Sequence, residues 1–418
     1  MLSKFFTCPV RLQQLDDSPA HAFLEGFADQ LWQAGYARSA AQKHIGIVEH
    51  FTFWGDRQGI AFAELSETSI KDFDRHLSGC RCQCPCHGRT YPLKRQNSST
   101  RLFLGYLCGA GIAPRAVRHA TDSEPVLFST FHDWMRQQRG TCNASLRNYS
   151  YSIRDLLKAV GDDPRRFDAQ RLRRFVLERC QHSGPGAKKS CITGVRMFLR
   201  FLIAEGKCPP GLDGCIPTMA HWRLSTLPQY LQPGDVERVI ESCDLATSVG
   251  RRDRAILLLL ARMGLRAGDV ARLRLKDVDW EEAWIQVSGK GRRQTRLPLT
   301  QEVGDALVRY LRESRPRSFS NTLFVRHRAP FHPFRTHAAI SMVVTRAMDQ
   351  AGVACPSRGA AHLFRHSAAT SMLRHGTSLQ DIGVILRHRL IQTTAIYAKV
   401  DVAALETIAQ PWPEVESC

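Results

Sequence analysis

Apolar residues recur at helical spacing from about Ala22 to Ile112, first at Leu24, Phe27 and Leu31 and later at Ile45, Val48 and Phe51. A second helical stretch runs from about Pro125 to Lys207. The ends of the two stretches align without gaps: FLGYLCGAG at 103–111 falls on FLRFLIAEG at 198–206, pairing Phe103 with Phe198, Tyr106 with Phe201 and Gly111 with Gly206. Either one small helical domain is used twice, or two unrelated helices both stop at glycine. At 208–231, CPPGLDGCIPTMAHWRLSTLPQYL, no period survives and Pro and Gly accumulate, so a domain boundary is expected there.

Beyond the boundary, Pro233 opens a helix, and an apolar run predicts another over about Asp253 to Met263, stopping at Gly264. Alternation in Trp284-Ile-Gln-Val287, a Ser-Gly-Lys-Gly turn at 288–291 and RRQTRLPLT at 292–300 predict a β-hairpin. The remainder reads as helical to about Val400. One helix carries Ala361, Phe364, Ala368 and Met372 on one face and ends at Gly376. Thr377-Ser-Leu-Gln-Asp381 then resembles a capping box opening a short helix to Arg387, and Thr393 or Thr394 is the expected cap of a last helical turn bearing Tyr397. The fold class is mainly α with a small antiparallel β-sheet. Its expected parts are an N-terminal tail (1–21), helical domains at 22–115 and 125–207, a linker (208–227), an α+β domain (228–400) and a C-terminal tail (401–418).

Composition agrees with several domains, since 418 residues with 43% hydrophobic content exceed what one core holds. Charge adds a partner. Lys and Arg number 58 against 39 Asp and Glu, and the resulting +19 points to a polyanion, nucleic acid before a membrane surface. No segment approaches the roughly 18 unbroken apolar residues of a spanning helix; the longest run is Ala255–Ala261. The start, MLSKFFTCPVRLQQLDD, has no sustained apolar region or small-residue cleavage site, so a cytoplasmic protein is expected, with most of its fourteen cysteines reduced.

Candidate chemistry concentrates in the C-terminal block. Arg266, in Met263-Gly-Leu-Arg-Ala-Gly-Asp269, can offer a planar fork to phosphate oxygens or simply pair with Asp269. Lys290, between glycines, can project toward a phosphate or a leaving oxygen, or cap an ordinary solvated turn; no P-loop pattern surrounds it. His362 and Arg365 share a helix face at i and i+3. His388 and Tyr397 follow on short capped elements, an arrangement suited to positioning side chains. Together these groups can transfer a phosphoryl group without a metal: guanidiniums hold the non-bridging oxygens, an imidazole takes a proton, a lysine returns one and a tyrosine attacks. No Asp/Glu cluster for divalent metals accompanies them in this block.

In order, GLR, GKG, HLFRH, LRH and TTAIY over about residues 228–400 resemble the signature of the tyrosine recombinase (phage integrase) family, Arg, Lys, His-x-x-Arg, His/Trp and Tyr. The resemblance implies Arg266 and Arg365 as phosphate-binding residues, Lys290 as general acid, His362 as base, His388 as a further phosphate contact, Tyr397 as nucleophile and Asp269 as a supporting acid. It implies that block 125–207 is a core-binding domain closing on DNA with the catalytic domain, and that block 22–115 adds DNA binding or oligomerisation. Arg171-Leu-Arg-Arg-Phe and Lys188-Lys189 can contact phosphates or stand as solvated faces. Three positions depart from the family's usual pattern: Arg387 where glycine is common, Asp269 where Glu is, and Phe364 where Leu is.

The implied activity is site-specific DNA recombination through a 3′-phosphotyrosine, with double-stranded DNA as partner, a tetramer on DNA, related recombinases as further partners, and no cofactor for the chemistry. The alternatives are a catalytically silent DNA-binding relative and a type IB topoisomerase. An extra N-terminal block favours a mobile-element role over chromosome-dimer resolution. Separately, Cys80, Cys82, Cys84, Cys86 and His87, with Cys108 in reserve, can bind a structural zinc; a redox-sensitive loop and an inert insertion are the other readings.

Overall fold

The computed structural model describes residues 1–80, 82, 92–114, 126–218, 227–288, 294–334, 336–356, 359–388, 390–401, 405–407 and 409. Residues 1–115 together with 224–418 form one compact unit, and 116–223 form a second.

Both helical blocks follow one plan. The first consists of helices His21–Gln33, Arg38–Arg57, Glu67–Leu77 and Leu93–Gly109, with a 3-10 turn, Phe62–Glu64, before the third. The second has Val126–Arg139, Asn143–Val160, Ala169–Gln181 and Pro185–Ala204, with a 3-10 turn, Pro164–Arg166, at the same place. Matched aromatic positions pack alike. Phe103 meets Phe27 edge-on at 5.3 Å and 81°, and Phe198 meets Phe131 at 5.4 Å and 88°. The two C-termini close identically, with Gly111 and Gly206 at φ +74° and +66° and the following amides, Ile112 and Lys207, bonded to Leu107 O and Leu202 O at 2.9 and 2.8 Å. One helical domain used twice therefore accounts for the aligned ends.

The expected tail at 1–21 is corrected. Helices Leu2–Phe5 and Pro9–Asp16 place Leu2, Phe5, Phe6 and Leu15 in the core of the first block, beside Leu24 and Phe27. Each such side chain contributes roughly 1.5–3 kcal/mol by leaving water, and Arg11 anchors the segment on the buried Glu49. Helices this short show no period. The last segment, 401–418, lies mostly outside the described residues.

In the C-terminal block the helix Ser248–Ala261 is the central element, with every side chain of 255–261 buried. Around it lie helices Pro233–Glu241, Gln301–Glu313, His337–Gln350 and Ala360–Arg374. Among the described residues the sheet has three antiparallel strands in the order β1 (Val278–Asp279), β2 (Trp284–Ser288) and β3 (Gln294–Pro298). The expected hairpin is β2–β3, with Trp284 opposite Pro298 and Ser288 opposite Gln294. Its turn lies outside the described residues.

The expectation of helix through the remainder is corrected between Ser314 and Thr336. There Pro316, Pro330 and Pro333 lack the amide a helix requires, and the chain is held by the bridges Arg274–Thr322 and Val325–Pro333 and by Arg315 donating to the carbonyls of Ser320, Thr322 and Leu323. Phe331 from this segment packs against Gly35 of the first block, where φ is +76° and a Cβ would meet the ring at 2.3 Å. No described helix is long and apolar enough to cross a membrane.

Candidate active site

Two arginines distant in sequence converge beneath one turn. Arg365, on the helix Ala360–Arg374, is 3% exposed, and its Nη1 and Nη2 donate to the carbonyls of Gly264 and Leu386. Arg266, at the N-cap of the short helix Ala267–Val270, donates from Nη2 to the carbonyl of Arg387 at 3.0 Å. Gly264 (φ +58°) makes this packing feasible, because a Cβ there would meet Leu386 at 2.6 Å. Carbonyls orient both forks without neutralising them, and the nearest carboxylate to Arg266 among its ion pairs is Asp269 at 3.8 Å.

The electrostatics follow from that choice of partners. Burial, and then the field of Arg266, push Arg365 down to about 9, so it stays a cation at neutral pH. Arg266 is lowered chiefly by burial, with Asp269 opposing. Two like charges, with one carboxylate shared among Arg266, Arg272 and Arg387, form a site whose energy falls when an anion enters.

The turn that supplies the carbonyls closes the helix Leu379–Ile385. Arg387 N donates to Val384 O at 2.9 Å and His388 N to Gly383 O at 2.8 Å, the paired bonds of a Schellman cap. The residue at the left-handed position of such a cap is usually glycine, yet here it is Arg387 at φ +55°. A non-glycine residue costs about 1–2 kcal/mol in that conformation. Arg387 is held by Asp269, 2.7 Å from its Nη2, with both side chains buried. Asp269 also takes Arg272 at 2.9 Å. The departures at 269 and 387 are thus one ion pair. The Nε and Nη1 of Arg387 remain buried without a hydrogen-bond partner.

Tyr397 lies in the 3-10 segment Ala395–Val400, 1% exposed, in a small core with Ala369, Ile382 and Leu386. Its Oη is 2.9 Å from Nδ1 of His366, one helical turn beyond His362. Burial raises the phenol's pKa, while Arg365 and then Arg266 pull it back. Burial, followed by His362 and Arg365, pushes His366 down to about 4, so its ring is neutral at pH 7. His362 is lowered by burial, Arg365, Arg266 and His337. The ring of His388 stacks on Tyr397 at 6.4 Å and 8°, and its Nδ1 lies 2.8 Å from Thr394 Oγ1. Burial and the two arginines push His388 to about 4 as well.

Arg266, Asp269, His362, Arg365, His388 and Tyr397 therefore share one site, and Lys290 lies outside the described residues. Two members were not singled out from sequence. His366 could have been, since it stands four residues after His362 in HLFRH. Thr394, expected as a helix cap, makes no capping bond and instead orients His388. Ser378 does cap its helix, accepting from Asp381 N at 3.1 Å. Of the cysteine cluster, Cys80 and Cys82 are described and lie beside His50 and His76; Cys84, Cys86 and His87 lie outside the described residues, and Cys108 bonds to Pro114 O.

Residues 229–403 match the phage integrase family. Integrase/recombinase y4rA of Sinorhizobium fredii is 32% identical over 98% of both chains. Tyrosine recombinase XerD of Lacticaseibacillus casei is 28% identical over 65% of this chain and 92% of its own. The fold is similar to that of XerH site-specific recombinase bound to palindromic difH substrate, with a TM-score of 0.54 and 20% identity over 69% of this chain and 85% of that one. The chain belongs to the phage integrase family of tyrosine recombinases.

Proposed function

We propose that this protein is a site-specific DNA recombinase in which Tyr397 is the nucleophile and acts on a phosphate held by its own chain. One observation carries the reading: Tyr397 Oη sits against a neutral imidazole and within the field of two arginines whose forks are held by carbonyls, with Asp269 only in longer-range contact with Arg266 at 3.8 Å. Arg266 and Arg365 bind the non-bridging oxygens of the scissile phosphate. As Tyr397 Oη attacks phosphorus, its proton passes to Nδ1 of His366, the ring nitrogen within reach, rather than to His362, which the family resemblance implied as base. His362 and His388 complete the polar wall around the phosphate, and Lys290 gives a proton to the departing 5′-oxygen. The bond to the 5′-oxygen breaks as the bond to Tyr397 forms, leaving a 3′-phosphotyrosine and a 5′-hydroxyl.

A 5′-hydroxyl from a second duplex reverses each transfer, so bond energy is retained and neither ATP nor a catalytic metal is required. Exchange between two duplexes uses four strand cleavages, which supports a tetramer on double-stranded DNA. A mobile-element role fits the additional helical block.

The test uses nicked duplexes carrying the sequences that flank the element, without added divalent metal. A protein–DNA adduct resistant to denaturant is expected. Binding without any adduct would favour a silent relative, and relaxation of a plasmid lacking those sequences would favour a topoisomerase. His366→Gln should slow cleavage by about 10²–10⁴-fold while leaving DNA affinity unchanged.

A further inference from the structure

The first helical block holds a second group of histidines, remote from Tyr397 in sequence and in a different core. His50 lies on the helix Arg38–Arg57 and His76 on Glu67–Leu77, while Cys80 and Cys82 begin the connection that follows. Cys80 Sγ is 3.3 Å from His50 Nε2, and Cys82 Sγ is 3.2 Å from His76 Nε2. One ligand atom from each of the four lies within 4.8 Å of every other. A tetrahedral zinc with bonds of about 2.3 Å to sulfur and about 2.0–2.1 Å to nitrogen sets sulfur–nitrogen edges of about 3.5 Å.

The four ligands are held by the core rather than by the loop alone. The ring of His50 meets Phe73 edge-on at 5.2 Å, and that of His76 stacks on Trp54 at 6.0 Å. Phe73 is fully buried and Trp54 nearly so. Both imidazoles are thus held in place by aromatic packing on two helices. Cys82 is buried and the other three are half-buried, a depth that shields a metal from exchange.

The second block closes the same gap with far fewer residues. There the third and fourth helices are joined by residues 182–184; in the first block the same helices are joined by residues 78–92. A long connection carries a closure cost that a metal clip offsets.

We propose that His50, His76, Cys80 and Cys82 bind one zinc ion as a structural Cys2His2 site that pins the start of the 78–92 connection to the second and third helices of the first block. This differs from a site made of the cysteine run itself. Two thiolates with two imidazoles suit zinc, and binding releases the thiol protons to solvent. The site is independent of the DNA chemistry.

The full-length protein, purified without chelators, is expected to carry about one zinc per chain by elemental mass spectrometry. His50→Asn/His76→Asn and Cys80→Ser/Cys82→Ser should each lower that content at least about tenfold, whereas Cys84→Ser/Cys86→Ser/His87→Asn should retain it. Because the first two variants could misfold, cobalt is also loaded into the unaltered protein. A tetrahedral spectrum with charge transfer from two thiolates supports the site. No metal taken up by the unaltered protein, a three- or four-thiolate spectrum, or full zinc content in the His50/His76 variant would overturn it.

Discussion

Two histidine clusters in this protein start from the same side chain and arrive at opposite appetites. At the active site, His362, His366 and His388 are lowered by burial and further by Arg365, with Arg266 acting on His362 and His388. Their polar neighbours are hydroxyls, Tyr397 and Thr394. In the first block His76 is lowered by burial alone, and the neighbours of His50 and His76 are thiols. An imidazole among guanidiniums and a phenol makes a site for an anion; the same ring among thiols makes a site for a cation. Burial lowers His76 in the one cluster and His362, His366 and His388 in the other, so the surrounding charge decides what each receives.

The largest effect that could break this contrast is at Arg365. Arg365→Ala removes the buried cation and leaves the carbonyls of Gly264 and Leu386 without their donor. Single-turnover cleavage should fall by about 10²–10³-fold or more. Arg365→Lys should rescue little, since one ammonium cannot reproduce a fork spanning two carbonyls. Recovery with lysine would mean that charge alone matters there.

Acid comes next. His366 and His388 sit near 4 in the folded chain against 6.5 ordinarily, so between those values the unfolded state binds more protons. Their contribution to stability is present in full above about pH 6.5 and is lost as pH falls through 4. Melting temperature should decline across that window, and phosphate-rich DNA should shift the decline to lower pH by stabilising the folded state. A flat profile would show that these rings are not held neutral.

A smaller effect is expected from Cys80→Ser/Cys82→Ser. Loss of the metal clip should lower the melting temperature by several degrees and leave the cleavage rate of the folded fraction unchanged. A rate that fell in proportion to metal content would tie the first block to the chemistry and erase the separation between the clusters.

Arg387→Gly should have the smallest effect. Glycine relieves about 1 kcal/mol of left-handed strain and removes two unpartnered donors, while Asp269 loses one of its arginines but keeps Arg272. Stability measured by denaturant should change by no more than about 1 kcal/mol. A loss several times larger would show that the Asp269–Arg387 pair holds the turn together.

Much of the site was readable because its parts are local patterns in a fixed order. HLFRH gives a helix face at i and i+3, and GLR gives an arginine after a helix stop. What could not be read is what depends on distant packing. Asp269 and Arg387 each departed from expectation alone, and only their contact across 118 residues explains both. Thr394 obeys the local rule for a cap, yet a bond to His388 takes its hydroxyl. The cysteine run was visible, whereas His50 lies thirty residues from Cys80 on another helix and joins it only through the fold. Residues 1–21 looked like a tail because helices of four and eight residues carry no period.

The tyrosine buried beside His366 is the one expected to take the DNA. The direct measurement is mass spectrometry of nuclease- and protease-digested adduct from a nicked duplex, read for the modified peptide. A nucleotide phosphodiester is expected on the peptide containing Tyr397, with no adduct from Tyr397→Phe despite DNA binding at unaltered affinity. An adduct on any other residue, or one that survives Tyr397→Phe, would contradict it.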